Sequence, residues 1–254
     1  MGTSTGYKMP KGGAWTPLKR EGNRFLKQGP DGSVNPGQLL NSYVGAIGGP
    51  AGIARSAGGG GGGGGGGQPR GASAATRVAR NVGGFISRVA EVGVDTALRE
   101  IGLGHLVGAS AGEIGSALLD VLCGPASTID DDAARGALAK LNEEMLNEAQ
   151  TAEDVERALT TTLDAVGLAG LLTQFFAHYI YERFCRDFYE AWRRLAGAAE
   201  VNAALESVRT YISSLLETRF SQRDVSGIRW QGPEGEQLVL GVLGDTCEVF
   251  GVPQ

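Results

Sequence analysis

Apolar residues recur at three- and four-residue intervals along most of the chain after Thr76. This spacing places them on one face of an α-helix, whereas a half-buried strand would alternate apolar and polar residues. Glycine and proline residues separate successive stripes and mark the connections between helices. The pattern therefore predicts an all-α fold, a helical bundle of about seven helices. Three of the clearest stripes consist of Val78, Val82, Phe85 and Val89, of Leu138, Leu141 and Met145, and of Val201, Leu205, Val208 and Ile212.

Polar residues mark where several of these helices begin. Ser110 with Glu113 forms a capping-box sequence, and Thr151 can cap the helix that follows it. The three consecutive aspartates at positions 130–132 resemble a metal-binding acidic cluster in composition only, because they lack the ligand alternation of a calcium loop. Their better interpretation is as acids in the first turn of a helix, where they face its positive end. The last thirty residues fit either a hairpin or a helix, and the spacing of their apolar residues favours a helix.

The first 72 residues differ sharply from the others. They contain 23 of the 42 glycines, ten of which form an uninterrupted run at positions 58–67, and they carry a net charge of +6 against −11 for residues 73–254. A segment so poor in apolar residues cannot bury enough surface to offset its ordering entropy. We therefore predict a long disordered Gly-rich N-terminal tail, unstructured over residues 1–34, with the glycine run as a flexible spacer. A short helix over residues 36–47 is compatible with the Asn35-Pro36 start signal. An all-helical domain then covers residues 73–254.

The stretch of residues 165–181 contains no charged side chain. Its length is at the lower limit for crossing a membrane, and it includes Gln174 and His178. The sequence then runs directly into Glu182 and Arg183. A buried central helix is the favoured interpretation, and a membrane span is the alternative.

Composition also limits the classes of function. Basic residues are scattered through the tail without a clustered stripe, and the acidic remainder argues against DNA as the main partner. The three cysteines show no metal-binding spacing and fit a reduced cytoplasmic protein with buried thiols. Neither His105 nor His178 has a nearby acid or cysteine in a recognisable catalytic or metal-ligating pattern. We therefore predict that the protein is not an enzyme and holds no metal or cofactor.

A long aromatic helix is predicted over residues 168–195. It contains more aromatic residues than one helix face can bury, so most of them form a core stripe and some remain for a protein–protein contact. Tyr181, Tyr189 and Trp192 are the candidate partner-binding residues.

The start of the chain offers the remaining candidate chemistry. Removal of Met1 is compatible with the small Gly2 and would leave a glycine amine with a reference pKa of about 7.7–8.0. Myristoylation is disfavoured because the motif needs Ser or Thr where this chain has Gly6. An exposed glycine amine can accept an activated carboxylate to form an amide, and glycine fits a narrow catalytic slot because it has no side chain.

The layout of the chain resembles the QatB family of the Qat antiphage defence system of bacteria. The resemblance rests on the Met1-Gly2-Thr3-Ser4 start, the Gly-rich tail with its glycine run, and a helical body with a Gly83-Gly84 pair in its first helix. It implies three companions: an ATPase (QatA), a QueC-like enzyme (QatC) and a TatD-like nuclease (QatD). It also implies that the QueC-like enzyme activates a 7-deazaguanine carboxylate with ATP and transfers it to Gly2, with Thr3 and Ser4 at the entrance of its active site.

Two other functions compete with this interpretation. A plain helical adaptor or scaffold of a defence complex would use the tail only as a spacer. An enzyme, such as a nuclease or hydrolase, would need a convergent set of catalytic side chains that the sequence does not display.

Overall fold

A computed structural model of the chain describes residues 9–55, 73–218 and 228–251. The described residues form ten α-helices and one 3₁₀ helix, so the all-α prediction is confirmed although the helices outnumber the seven expected. The helices are α1 Trp15–Gln28, α2 Pro36–Ala46, α3 Gly49–Arg55, α4 Ala74–Val92, α5 Val94–Glu100, α6 Ala111–Cys123, α7 Ile129–Leu146, α8 Ala152–Arg193, α9 Ala198–Thr218 and α10 Pro233–Val249, and the 3₁₀ helix is Gly104–Leu106.

Capping boxes fix the starts of four helices, as the local sequence predicts. They pair Asn35 with Gln38 in α2, Ser110 with Glu113 in α6, Thr128 with Asp131 in α7 and Thr151 with Asp154 in α8. Each pair satisfies backbone N–H groups that have no partner within the helix. The pKa of Asp154 falls to about 2, because the backbone amides of Gln150 and Thr151 donate hydrogen bonds to its carboxylate.

Helix α8 is the centre of the bundle and packs against most of the other helices. Its backbone is non-helical at Gly167, whose φ of 68° suits a residue without Cβ, so α8 consists of two helical segments that meet at a kink between the two helices predicted. Its buried face carries a run of large aromatic side chains: Phe175, Phe176, Tyr179, Phe184, Phe188 and Trp192. Rings of Phe184, Phe188 and Trp192 contact one another, with centroids 4.5–5.8 Å apart.

The N-terminal region is more ordered than the sequence predicts. Residues 15–28, which we expected to be unstructured, form α1 and bury Leu18 and Phe25 in the common core. Gly22 lets α1 approach α8 so closely that a Cβ at this position would overlap the Phe188 ring. The predicted short helix is present as α2. A few apolar residues on one face suffice for α1 because they pack against α2, α9 and the aromatic face of α8.

The Gly83-Gly84 pair in α4 accommodates the indole ring of Trp230. A Cβ at Gly83 would overlap this ring, whereas one at Gly84 would lie 3.3 Å from the Trp230 Cβ. Arg80 fixes the same segment, since its Nε donates to the Trp230 carbonyl at 3.0 Å and its Nη2 to the Gln231 carbonyl at 2.8 Å. The glycine pair thus allows the segment before α10 to dock on α4.

We expect Gly83→Ala to destabilise the protein. The overlap with Trp230 should cost about 1–3 kcal/mol, which exceeds the roughly 0.5–1 kcal/mol that alanine gains over glycine within a helix. Gly112→Ala is the matched control, because a Cβ at this helical glycine meets no atom within 4 Å. Urea unfolding followed by circular dichroism measures both. Equal effects of the two substitutions would contradict the packing explanation.

Candidate functional site

The predicted modification site, Gly2 with Thr3 and Ser4, lies outside the described residues. The described residues begin at Met9, which is partly buried and packs against the core. The next residue is held by α1, since Lys19 Nζ donates a hydrogen bond to the Pro10 carbonyl at 2.5 Å. The predicted site is therefore connected to the body beside the first turns of α1.

The glycine run also lies outside the described residues, but its flanks revise the role that we predicted for it. The Ser73 N–H donates to the Ala54 carbonyl at 3.1 Å, so the chain leaves and re-enters the body at neighbouring points. Residues 9–55 contribute to the same core as α4–α10. The run therefore links two segments of one core, and the residues ahead of α1 set the reach of Gly2.

The three candidate partner-binding residues occupy different environments. Trp192 is fully buried, so its assignment to a partner surface is wrong; it belongs to the aromatic core. Tyr181 is half-buried, its hydroxyl donates to the Leu205 carbonyl at 3.4 Å, and burial raises its pKa. Tyr189 is 39% exposed and is the one member of the set that is open to a partner.

Tyr189 lines an apolar surface groove of about 410 Å³ between α8 and the start of α7, which we call the Tyr189 groove. The groove also contains Ile129, which is 39% exposed, and Cys185. Arg186 and Glu190 complete it with one charge of each sign. Exposed tyrosine and isoleucine around a concavity are typical of a contact surface for another macromolecule.

Each aspartate of the acidic run pairs with a different arginine. Asp130 pairs with Arg183 at 3.0 Å, Asp131 with Arg77 at 2.8 Å and Asp132 with Arg186 at 3.0 Å. Asp131 also caps α7, because the Thr128 and Ser127 backbone amides donate to it. The prediction that these acids act at a helix start is therefore confirmed, and their carboxylates additionally tie α7 to α4 and α8.

A buried polar network connects α2, α7 and α8. The Tyr43 hydroxyl donates to Asp187 at 2.7 Å, and the Tyr179 hydroxyl donates to Asp130. Burial and the neighbouring Asp187 raise the pKa of Tyr43 well above its usual value. Burial alone would lower the pKa of Arg183, but the neighbouring oxygens of Tyr179, Tyr43, Asp130 and Asp187 outweigh it, so the net shift is upward. All these groups stabilise packing, and each has its partner within the fold.

The described residues contain no group of three or more His, Cys, Asp or Glu side chains that could hold a metal ion. His178 is paired with Glu144 at 2.9 Å and His105 is exposed in the 3₁₀ helix, so the two histidines do not share a site. Burial raises the pKa of the Cys123 thiol to about 11 and those of Cys185 and Cys247 to about 12. Thiols with such values are protonated at neutral pH and are poor nucleophiles.

A second concavity, of about 570 Å³, lies where α1, α2, α9 and the end of α10 meet. Its wall is mostly polar, but the oxygens of Asn35 and Gln38 are used in the capping box of α2. Asn41 Nδ2 donates to the Gly251 carbonyl at 2.5 Å. Of the hydroxyl groups around this concavity, that of Ser33 donates to Gln28 Oε1 at 2.7 Å, and the buried Oε2 of Glu21 has no hydrogen-bond partner among the described residues.

Comparison with known protein families gives one decisive match. The model of the Qat anti-phage system associated protein QatB matches residues 63–250, well over half of the chain. The chain belongs to the QatB family. This QatB family member is thus a protein of an antiphage defence system, and the resemblance noted in its sequence is confirmed. The comparisons with curated proteins and with solved structures gave no match.

The QatB match covers the helices α4–α10 and leaves out α1–α3. It therefore includes the Tyr189 groove, the acidic run and the Gly83-Gly84 pair, whereas Gly2 lies outside the matched residues. The Tyr43–Asp187 hydrogen bond joins the two parts of this family member, since it links α2 to α8.

Helix α8 of this QatB family member is, among the described residues, the one helix long and apolar enough to cross a membrane. However, 61% of its most apolar 18-residue window is buried inside the fold. This burial supports the interpretation of α8 as the core helix of the bundle.

Proposed function

We propose that this QatB family member is a non-enzymatic defence protein of the cytoplasm that presents Gly2 to a QueC-like partner for conjugation to a 7-deazaguanine. The observation that carries the proposal is the contrast between the two parts of the chain. Within the described residues the two histidines lie apart, and burial raises the pKa of each cysteine thiol. The N-terminal segment joins the body beside α1, where Lys19 Nζ donates a hydrogen bond to the Pro10 carbonyl. Such a protein is suited to act as the substrate of another protein's chemistry.

The proposed step is the formation of one amide bond. The amine of Gly2 attacks the carbonyl carbon of a 7-deazaguanine carboxylate that the QueC-like enzyme (QatC) has activated with ATP. The new C–N bond forms as the activating group leaves with its electron pair, and the amine loses a proton. A reference pKa of about 7.7–8.0 leaves a useful fraction of the amine neutral at cytoplasmic pH.

The length of the N-terminal segment fits this role. Seven peptide units separate Gly2 from Met9, so the amine can reach at most about 25 Å beyond the first described residue. This distance lets Gly2 enter an active site on the partner while α1 stays packed on the body. Thr3 and Ser4 would then lie at the entrance of that active site. The body supplies the docking surface and raises the effective concentration of the tip.

We expect Gly2→Pro to abolish the modification, because proline replaces the primary amine with a constrained secondary one. Gly6→Ala is the matched control, since it changes a glycine of the same segment and keeps the amine. The readout is the intact mass of each variant after production together with the QueC-like partner and its substrate. A wild-type mass equal to that of the Met-less chain, with an active partner present, would overturn the proposal.

The alternative is an adaptor whose N-terminal segment serves only as a spacer. Deleting residues 2–34 does not separate the two functions cleanly, because it removes α1 from the core. Deleting residues 2–8 leaves every described helix intact. An adaptor should then retain defence in a phage challenge, whereas a protein that acts through Gly2 should lose defence while still binding its partner in a pull-down.

A further inference from the structure

The concavity of about 570 Å³ between α1, α2, α9 and the end of α10 carries polar side chains of two kinds. Some of them are used within the fold. Asn35 and Gln38 form the capping box of α2, and Asn41 donates to a backbone carbonyl. The other kind has side chains that form no hydrogen bond or ion pair with any described residue, and its members are Glu21, Arg24, Ser42 and Tyr211.

The two charged members of this second set, Glu21 and Arg24, lie three residues apart on α1. Side chains at this spacing are neighbours on a helix and can form an ion pair. Here they pair neither with each other nor with another charged side chain in the described part of the chain. The Oε2 atom of Glu21 is nevertheless buried, and no described group donates to it. Because buried polar atoms in proteins nearly always have a partner, we expect a donor from outside the fold to approach Glu21 through the concavity.

The chemistry of these unused groups defines the ligand that would match them. The Glu21 carboxylate accepts hydrogen bonds from a cationic N–H group, and the Arg24 guanidinium donates to a carboxylate. Their charges cancel, so a ligand with only one charge would leave one of the two unmatched. An ammonium and a carboxylate on the same carbon atom can contact both side chains, because residues at this spacing have Cβ atoms about 5–6 Å apart. The hydroxyls of Ser42 and Tyr211 can donate to or accept from the same ligand.

The size and the remaining wall of the concavity also suit a small ligand. Its volume of about 570 Å³ falls within the range of roughly 300–1,000 Å³ that is usual for small-molecule sites. Val34, Val249 and Phe250 add apolar surface beside the polar groups, which favours a ligand with an aliphatic side chain. The wall combines α1 and α2 with α9 and α10, so a bound ligand would contact both the N-terminal helices and the helices that match the QatB family.

We propose that this concavity binds an α-amino acid, with the ammonium group at Glu21 and the carboxylate at Arg24. The hydroxyls of Ser42 and Tyr211 supply further hydrogen bonds, and the apolar wall contacts the side chain of the ligand. A ligand of so few atoms should bind with a Kd on the order of a millimolar or tighter. The site is separate from Gly2 and does not depend on its modification.

Three matched probes test the proposal in an NMR titration of the isotope-labelled full-length protein. L-leucine carries both charges, 3-methylbutylamine lacks its carboxylate, and 4-methylpentanoate lacks its ammonium group. L-leucine should bind about tenfold more tightly than either analogue, because only L-leucine satisfies both charged side chains. No binding of L-leucine at about 10 mM, roughly ten times the expected Kd, would overturn the proposal and show that the concavity holds only water. Equal binding of L-leucine and 3-methylbutylamine would contradict the role of Arg24.

Substitutions then assign each charge to its residue. Glu21→Gln should weaken L-leucine by about tenfold and leave 4-methylpentanoate unchanged, whereas Arg24→Gln should weaken both of these and leave 3-methylbutylamine unchanged. Arg20→Gln is the matched control, because Arg20 is also exposed on α1 but does not line the concavity, so it should bind all three probes like the wild type. A Glu21→Gln variant with altered urea unfolding but unchanged Kd values would show a purely structural role and contradict the proposal.

Discussion

Replacing Asp130 by alanine is expected to lower the free energy of unfolding by about 3–5 kcal/mol. Asp130 is only 6% exposed and accepts hydrogen bonds from the Tyr179 hydroxyl, from Arg183 Nη1 at 3.0 Å and from the Ala74 N–H at 2.8 Å. The substitution leaves these buried donors without that acceptor, and burial makes an unsatisfied charged group far more costly than an exposed one.

The neighbouring Asp132 provides the control for this prediction. It belongs to the same acidic run and also pairs with an arginine, but its side chain is 47% exposed. Exposed ion pairs contribute about 0–1 kcal/mol, so Asp132→Ala should have a small effect. Urea unfolding of both variants, followed by circular dichroism, measures the difference. Similar losses for Asp130 and Asp132 would show that position in the helix, and not burial, determines the effect.

The acidic run also shows which structural features the local sequence does not predict. Its role at a helix start follows from the sequence, because capping depends on residues only three positions apart. The three aspartates are chemically identical, however, and their exposures differ because α7 turns one of them toward α8 and another toward solvent. That orientation depends on packing between elements more than forty residues apart, as in the Asp130–Arg183 pair. The local pattern holds no information about it.

The same distinction explains the missed helix. The capping boxes of α2, α6, α7 and α8 are local, and all four helices are predicted from them or from their apolar stripes. Helix α1 has no side-chain cap and contains Pro17 and Gly22, both of which weaken a helix prediction. Its stability comes from tertiary packing against α2 and α9 as well as α8, where Gly22 faces Phe188. Gly22 therefore lowers the helix propensity of α1 but allows this helix to pack closely against α8.

The candidate site was also predicted only in part. Aromatic excess on α8 correctly indicates that some rings lie outside the core, and Tyr189 is such a ring. Helical spacing also places Trp192 on the same face as Phe184 and Phe188, so its assignment to a partner surface went against the stripe. Here α1 covers the end of α8 and brings Phe25 to within 6.3 Å of Trp192 between ring centroids. Helix α1 thus adds to the burial of a ring that already contacts Phe184 and Phe188 of its own helix.

Phe25→Ala is accordingly expected to cost about 3–5 kcal/mol, although it lies in a region that its sequence marks as a tail. Phe25 is fully buried and contacts the Trp192 ring, so its removal leaves a cavity between α1 and α8. Lys27→Ala is the control, because this side chain is exposed on the same helix and should change stability by less than about 0.5 kcal/mol. Urea unfolding with tryptophan fluorescence is a suitable measurement, since Trp192 reports on the contact.

The outcome also bears on how Gly2 is presented. If Phe25→Ala destabilises the whole protein in one cooperative transition, α1 unfolds together with the body, and the N-terminal segment is anchored at Pro10 as proposed. If unfolding is unchanged, α1 contributes nothing to the cooperative core. The segment that carries Gly2 would then be anchored at the start of α2 or beyond. It would contain roughly four times as many residues as the segment from Gly2 to Pro10. A matched loss of partner-dependent modification in the Phe25 variant would link the anchor of α1 directly to the delivery of the amine.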